Sequence, residues 1–239
     1  GGPPAPATAS SPAHWSRPHL RFTDMKTHLQ KLIPLLIIGL SPMVTSAATP
    51  PPVETVQRLQ DSLIHSMKQG GAAGYDARFL ALEPVIAETY AFDTIASIIL
   101  RRHWADLTQH QRDTFIDTLE TLAVANFASK FDNYTGESFG TTRENELKAG
   151  QFVVETQLSR PGKDSVEFKF VVANLDGGWR VLSTIVDGVN DLAVKRAEYS
   201  SVIERDGFDA LIRQIREKIQ GYGGVPETTA RTRTAGQPS

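Results

Sequence analysis

The sequence predicts an α+β fold in which helices pack on one face of a curved antiparallel sheet of about four strands. Apolar residues recur at helical spacing through the first half of the chain, as at Val56, Leu59 and Leu63. Between residues 151 and 185, apolar and polar residues alternate in stretches separated by Pro-Gly and Asp-Gly-Gly turns. Helical spacing returns after residue 190. Strands joined by short turns, with one apolar face, form an antiparallel meander that the helices can cover.

Four helices are predicted before the strands, and each carries a start or stop signal. Gly70-Gly71 ends the first helix, Asp76 caps the second and Asp93 caps a short third. Thr108 and Gln111 fit a capping box at the start of the fourth helix. In that motif the hydroxyl and the amide side chain satisfy free backbone amides of the first turn.

The alternating stretches predict strands over residues 151–158, 166–172 and 179–185, and residues 138–147 add an edge strand. Two further helices, separated by Asp206-Gly207, close the domain. The residues expected on the inner face of the three central strands are Phe152, Val154, Thr156, Leu158, Val166, Phe168, Phe170, Val172, Trp179, Val181, Ser183 and Ile185.

Residues 25–48 are typical of a signal peptide that is cleaved after Ala48. A basic segment over residues 26–31 precedes an apolar run over 32–40, and small residues follow at 46–48. The apolar run is about half of the ~20 residues that span a bilayer, so an uncleaved anchor is the weaker alternative. Cleavage predicts an exported, soluble protein.

The flanking segments lack apolar periodicity. Residues 1–24, rich in Gly, Pro, Ala and Ser, are interpreted as a disordered leader or as sequence upstream of the true start. Residues 223–239 are predicted to form a disordered tail. The folded domain therefore spans residues 52–222, which is enough for one core.

Composition and motifs exclude several classes of function. A formal net charge of −2 gives no general attraction to nucleic acid, and the absence of cysteine excludes disulfides and thiolate sites. Only His65, His103 and His110 follow the predicted cleavage site, and they form no metal-binding pair. The sequence therefore predicts no metal, no cofactor and no catalytic residue.

The apolar residues of the predicted sheet and helices allow two interpretations. A concave sheet under helices commonly encloses a ligand pocket, but the same aromatic side chains would also fill an ordinary core. If an apolar pocket exists, we expect its lining to be Phe92, Ile95, Ile98, Trp104, Phe115, Leu119, Phe152, Val154, Phe168, Phe170, Val181, Ile185 and Val189.

The order of several short motifs resembles the MlaC (toluene-tolerance) family of lipid-binding proteins. Arg78-Phe79 and Pro84 are followed by Phe92-Asp93 and His103-Trp104, and then by Leu107-Thr108, Gln111-Arg112 and Phe115. A second group comprises Trp179-Arg180-Val181 and residues 185–190, followed by a helix with Arg196, Tyr199 and Ile203. The resemblance extends from about residue 53 to 220.

One segment departs from the phospholipid-carrying members. Leu182-Ser183 stands where many of them have Tyr-Asp, and residues 191–199 are instead similar to the hopanoid-associated, HpnM-like branch. The resemblance implies a non-enzymatic periplasmic carrier of phospholipid or hopanoid. It also implies an auxiliary role beside an ABC-type inner-membrane lipid transporter complex and an outer-membrane lipoprotein complex, which together maintain outer-membrane lipid asymmetry.

Two alternatives remain open from the residues themselves. A small enzyme on a cone-shaped α+β fold would need an acid or base inside the cone, where only Thr156 and Ser183 are predicted as polar residues. An adaptor with a filled core would need neither a pocket nor a ligand.

Overall fold

The structure is a computed structural model that describes residues 51–229; the predicted leader, the predicted signal peptide with Ala48, and residues 230–239 lie outside this range. The helices and strands follow the predicted order. They are, in chain order, α1 (Pro52–Thr89), α2 (Phe92–Leu100), α3 (Arg102–Asp106), α4 (Gln109–Lys130), β1 (Ser138–Lys148), β2 (Gln151–Arg160), β3 (Lys163–Leu175), β4 (Gly178–Val186), β5 (Val189–Asn190), α5 (Asp191–Asp206) and α6 (Phe208–Tyr222).

The first two predicted helices are the two halves of α1. Gly70 (φ 52°) and Gly74 (φ 72°) interrupt the helical backbone, where positive φ favours glycine. Asp93 lies in the first turn of α2, whose N-cap is Ala91, so the predicted cap was placed two residues too late. Its carboxylate still lies near the positive end of the helix dipole. The capping box of α4 is confirmed, with Gln111 Oε1 accepting from Thr108 N at 2.9 Å.

The five strands form one antiparallel meander in the order β1-β2-β3-β4-β5, and the predicted edge strand is β1. Along β2 and β3 the predicted alternation is confirmed: Val154, Phe168 and Phe170 are buried on the inner face. Between them, Lys169 lies on the outer face, 3.9 Å from a carboxylate oxygen of Glu155. Helices cover the inner face, as the predicted fold class requires.

A β-bulge changes the faces of β4. Val172 pairs with Val181 but Val171 pairs with Ser183, so Leu182 is an extra residue. Beyond the bulge, Thr184 and Val186 lie opposite Phe170 and Phe168 and share the inner face, whereas Ile185 lies opposite Lys169. Ser183, opposite Val171, shares the face of Ile185. The predicted inward positions of Ser183 and Ile185 are therefore wrong, because a period of two cannot show an inserted residue.

The core lies between the inner face of the sheet and helices α1, α4 and α6. One polar contact joins α1 to the sheet, where Gln60 Nε2 donates to Thr156 Oγ1 at 2.8 Å. Another joins α1 to α4, where Arg78 Nε donates to the carbonyl oxygen of Ala128 at 2.9 Å. Both contacts satisfy polar atoms that burial removes from water. No helix within residues 51–229 combines the length and apolar character needed to cross a bilayer.

The start of the predicted disordered tail is packed against the domain. The hydroxyl of Tyr75 donates to the carbonyl oxygen of Gly224 at 2.8 Å, and Val225 contacts the core. A side chain at Gly223, where φ is 134°, would come within 2.7 Å of the Tyr75 ring. The composition of this segment suggested disorder. Local sequence could not show that the segment is anchored, because its partner Tyr75 is distant in sequence.

Candidate ligand cavity

A cavity of about 790 Å³ lies between the inner face of the sheet and helices α2, α4 and α5. Pockets of ~300–1,000 Å³ typically hold small ligands. Its wall is predominantly apolar. The apolar lining residues include Phe92, Ile95, Ile99, Leu119, Leu122, Ala123, Phe127, Phe131, Leu158, Val166, Phe168, Val186 and Leu192.

The cavity communicates with solvent, because several of its lining residues are exposed. Val194 on α5 lines the cavity and is 51% exposed. Lys130, at the end of α4, and Asn133 beyond it are also exposed lining residues. A ligand could therefore hold its apolar part inside and its polar part at this rim.

Four of the thirteen residues expected to line a pocket do so: Phe92, Ile95, Leu119 and Phe168. Four others point inward but are fully packed in the core and do not reach the cavity. These are Phe115, Val154, Phe170 and Val181, none of which is more than 2% exposed. Periodicity identified the correct face but did not distinguish core from cavity wall.

The other five expected residues lie outside the cavity. Trp104 packs under the guanidinium of Arg112, and Phe152 meets the ring of Trp179 edge-on at 5.4 Å between centroids. Ile98 lies on the partly exposed side of α2, and Ile185 lies on the outer face of the sheet. Val189, in the short β5, is 60% exposed.

The sequence reasoning missed the contribution of α5 and of the end of α4. Leu192 and Tyr199 have the spacing of one apolar helix face, yet nothing local indicates that this face closes a cavity. The same holds for Phe127 on α4 and for Phe131, the C-cap residue of that helix. Which helix faces an open part of the sheet depends on tertiary packing and has no signal in helical periodicity.

Charged side chains surround the rim. Two lysines there have carboxylate partners: Lys195 pairs with Asp191, and Lys218 Nζ lies 2.6 Å from Glu198 Oε1. Lys130 forms no ion pair within the described part of the chain. The rim therefore offers at least one positive charge that no protein carboxylate neutralises.

Glu137, on the loop before β1, also lines the cavity and is held by its own loop. Thr135 donates to its carboxylate from the backbone nitrogen at 2.5 Å and from the hydroxyl at 2.7 Å. Burial raises the pKa of Glu137, but these hydrogen bonds outweigh that effect and leave the pKa below its usual value. Glu137 is therefore a carboxylate at neutral pH and is not poised as an acid.

The two polar residues that the sequence predicts on the inner face both have structural partners. Thr156 is bonded to Gln60 in the core, and the hydroxyl of Ser183 donates to Asn190 Oδ1 at 3.1 Å, the same atom that caps α5. Burial raises the pKa values of Tyr90 and Tyr199 above the ordinary range, so both phenols stay neutral. Within residues 51–229, no group of three acidic or histidine side chains is placed to hold a metal.

Comparisons with known proteins agree with this architecture. No curated protein sequence matches the chain. The matching solved structures include a phospholipid-binding protein from Ralstonia solanacearum in complex with a phospholipid. It shares 17% identity at a TM-score of 0.65, over 72% of this chain and 99% of that one, a likeness that establishes the fold. The family model described as MlaC protein matches residues 57–217, so the chain belongs to the MlaC family.

Proposed function

We propose that this protein is a periplasmic lipid carrier that holds the apolar part of a phospholipid or hopanoid in its cavity. It takes the lipid from an inner-membrane transporter complex and delivers it to an outer-membrane lipoprotein complex, or the reverse. The observation that carries the proposal is the 790 Å³ cavity, which is apolar inside and charged at an open rim. The family match and the phospholipid-binding structural neighbour point to binding or transport rather than catalysis.

The energetics explain why such a cavity is needed. Two acyl chains expose about 30 methylenes to water, at ~0.8 kcal/mol each, which amounts to ~20 kcal/mol or more. A free lipid therefore crosses an aqueous compartment negligibly often. A wall such as Phe92, Leu119 and Phe168 replaces water around the chains and removes most of this cost.

The charged rim supports an amphipathic ligand over a purely hydrocarbon one. Lys130 and Lys163 line the cavity and are exposed, so a headgroup phosphate next to them remains hydrated while it gains electrostatic attraction. No catalytic group is required for this function, since the lipid enters and leaves unchanged.

The proposal also places the mature protein in the periplasm, with Ala48 as the last residue of the removed signal peptide. Expression of the full chain in a Gram-negative host, followed by mass spectrometry of the periplasmic fraction, tests this step. A mature N-terminus at Thr49 is expected. Recovery of intact protein in the membrane fraction would contradict it.

Lipid extraction from the purified periplasmic protein tests the central claim. We expect about one lipid per protein, identified by mass spectrometry as a phospholipid or, in a hopanoid-producing host, as a hopanoid. A transfer assay between two vesicle populations then measures whether the protein accelerates exchange. Protein that neither carries lipid nor binds added lipid would favour the enzyme or adaptor alternatives.

A further inference from the structure

The cavity wall contains a pair of hydroxyl groups. The hydroxyl oxygen of Tyr90 lies 3.0 Å from Oγ1 of Thr184, and both residues line the cavity. Tyr90 is only 8% exposed, and its ring lies against Phe92, with 5.6 Å between centroids. Within the described part of the chain neither hydroxyl has another hydrogen-bond partner.

The number of hydrogens in this pair has a consequence for the ligand. Two hydroxyl groups hold two hydrogens, but only one hydrogen can lie between the two oxygens. Whichever group donates, the other O–H remains without a protein acceptor within hydrogen-bonding distance. When a bound ligand displaces water from the cavity, a donor without an acceptor becomes costly, and native structures rarely leave one unmatched. Burial also raises the pKa of Tyr90, so the phenol remains a donor at every physiological pH.

A second polar group lies on another wall of the same cavity. Asn126 on α4 is half-buried and lines the cavity, and its side-chain carboxamide forms no hydrogen bond within residues 51–229. A ligand made only of hydrocarbon inside the cavity would leave the carboxamide and the spare hydroxyl unpaired. A ligand with an oxygen atom at that depth would pair with at least one of them.

We propose that the Tyr90–Thr184 pair donates a hydrogen bond to an uncharged oxygen of the bound lipid inside the cavity. This inference rests on the proposed function and specifies its ligand. The acceptor is the carbonyl oxygen of an acyl ester in a phospholipid or a hydroxyl oxygen in a hopanoid with a polar side chain. In either case the hydrogen bond sets the depth at which the lipid sits, with its apolar part beyond the pair and its polar end toward the rim.

Binding of four lipids distinguishes a phospholipid ester from a hopanoid hydroxyl as the acceptor. The first pair is an ester-linked phospholipid and its ether-linked analogue, with the same chains and headgroup. The second pair is a hopanoid with a hydroxylated side chain and a hopanoid without one. Affinities are measured by displacement of a fluorescent fatty acid from delipidated protein. One neutral hydrogen bond predicts that the oxygen-bearing member of one pair binds about three- to tenfold more tightly.

The variant that removes the donor is the double substitution Tyr90→Phe with Thr184→Val. Each single substitution leaves the other hydroxyl free to donate, so only the double variant removes both hydrogens. In the double variant, the ratio of the affinities for the oxygen-bearing lipid and for its analogue is expected to fall to about one. Tyr75→Phe is the control, because the Tyr75 hydroxyl bonds Gly224 and does not line the cavity.

The outcomes are distinct. Discrimination within the phospholipid pair that is lost in the double variant supports an ester acceptor; discrimination within the hopanoid pair that is lost supports a hydroxyl acceptor. Equal affinities within both pairs, or discrimination that survives in the double variant, would overturn this inference and leave the proposed function standing. Failure of the wild type to bind any of the four lipids would overturn the proposed function itself.

If the double variant does not fold, equal affinities of the wild type within both pairs still refute the inference. In that case, the wild type should discriminate within one pair, and Tyr75→Phe and Asn126→Leu should both retain this discrimination. Retention in Asn126→Leu would exclude the carboxamide as its source and would still support the hydroxyl pair.

Discussion

Substitutions at two alanines of α4 can distinguish an open cavity from a filled core. Ala123 lines the cavity, whereas Ala125 is fully buried in the core. Because residues two positions apart on a helix are rotated by about 200°, these side chains point to nearly opposite sides. The substitutions Ala123→Trp and Ala125→Trp therefore introduce the same bulky side chain into two different environments on one helix.

The expected effects on stability differ in size. At Ala125 the indole has no space, and overpacking a core typically costs about 1–3 kcal/mol or more. In a domain of this length each kcal/mol lowers the melting temperature by roughly 2–4 °C, so a loss of 6–12 °C corresponds to 3 kcal/mol. At Ala123 the indole enters a cavity of about 790 Å³, so we expect a melting temperature close to that of the wild type.

Bound lipid must be removed before the comparison. A ligand present at 100 times its Kd stabilises the folded state by about 2.7 kcal/mol, which would lower the apparent stability of any variant that cannot bind. Melting is therefore measured on delipidated proteins, and lipid loading is measured separately by phosphate assay and mass spectrometry. We expect Ala123→Trp to melt like the wild type and to carry almost no lipid.

Two results would refute the reasoning. If Ala123→Trp is destabilised as strongly as Ala125→Trp, the space beside α4 is closed in solution and the protein has a filled core. If Ala123→Trp melts normally and retains full lipid loading, lipid binds elsewhere. Ala125→Trp also serves as the internal control, since its instability shows that the assay detects overpacking on this helix.

Three further predictions concern other contacts. Gln60→Ala leaves the buried Thr156 hydroxyl without its partner and should lower the free energy of unfolding by about 1–3 kcal/mol in urea titrations; an unchanged midpoint would argue against this hydrogen bond. The pKa of Glu137 is depressed in the folded state, so its contribution to stability is full above its ordinary pKa of 4.5 and is lost as the pH falls through the lower, folded value. Glu137→Gln should therefore flatten the decline of stability below pH 4.5, and a parallel decline in both proteins would exclude this role. Reversing the rim charge with Lys130→Glu should weaken binding of anionic phospholipid about two- to tenfold more than binding of zwitterionic phospholipid, whereas Lys148→Glu, on the exposed strand β1, should not.

Much of the architecture could be predicted from local sequence. The capping box at Thr108 involves atoms three residues apart, so residue types alone identified it. The alternation around Phe168 and Phe170 correctly predicted which face of β3 is buried, because successive side chains of a strand point to opposite faces. The order of motifs by itself also indicated the MlaC family, which the family model matches over residues 57–217.

Other features depend on interactions between distant segments. The bulge at Leu182 reverses the orientation of Ile185, and only the pairing of β4 with β3 reveals it. The packing of Gly224 depends on Tyr75, which lies about 150 positions earlier.

The cavity itself is the clearest case of a feature that tertiary structure decides. Periodicity determined that Phe115, Phe168 and Phe170 face the interior, and that part of the prediction needed only the sequence. It could not determine that Phe168 borders open space whereas Phe115 and Phe170 are fully enclosed. Whether an inward side chain meets a neighbour or a void depends on the spacing of the helices and the sheet. That spacing is set by contacts of α5 with β4 and of α2 with α4 and α5, which no single segment encodes.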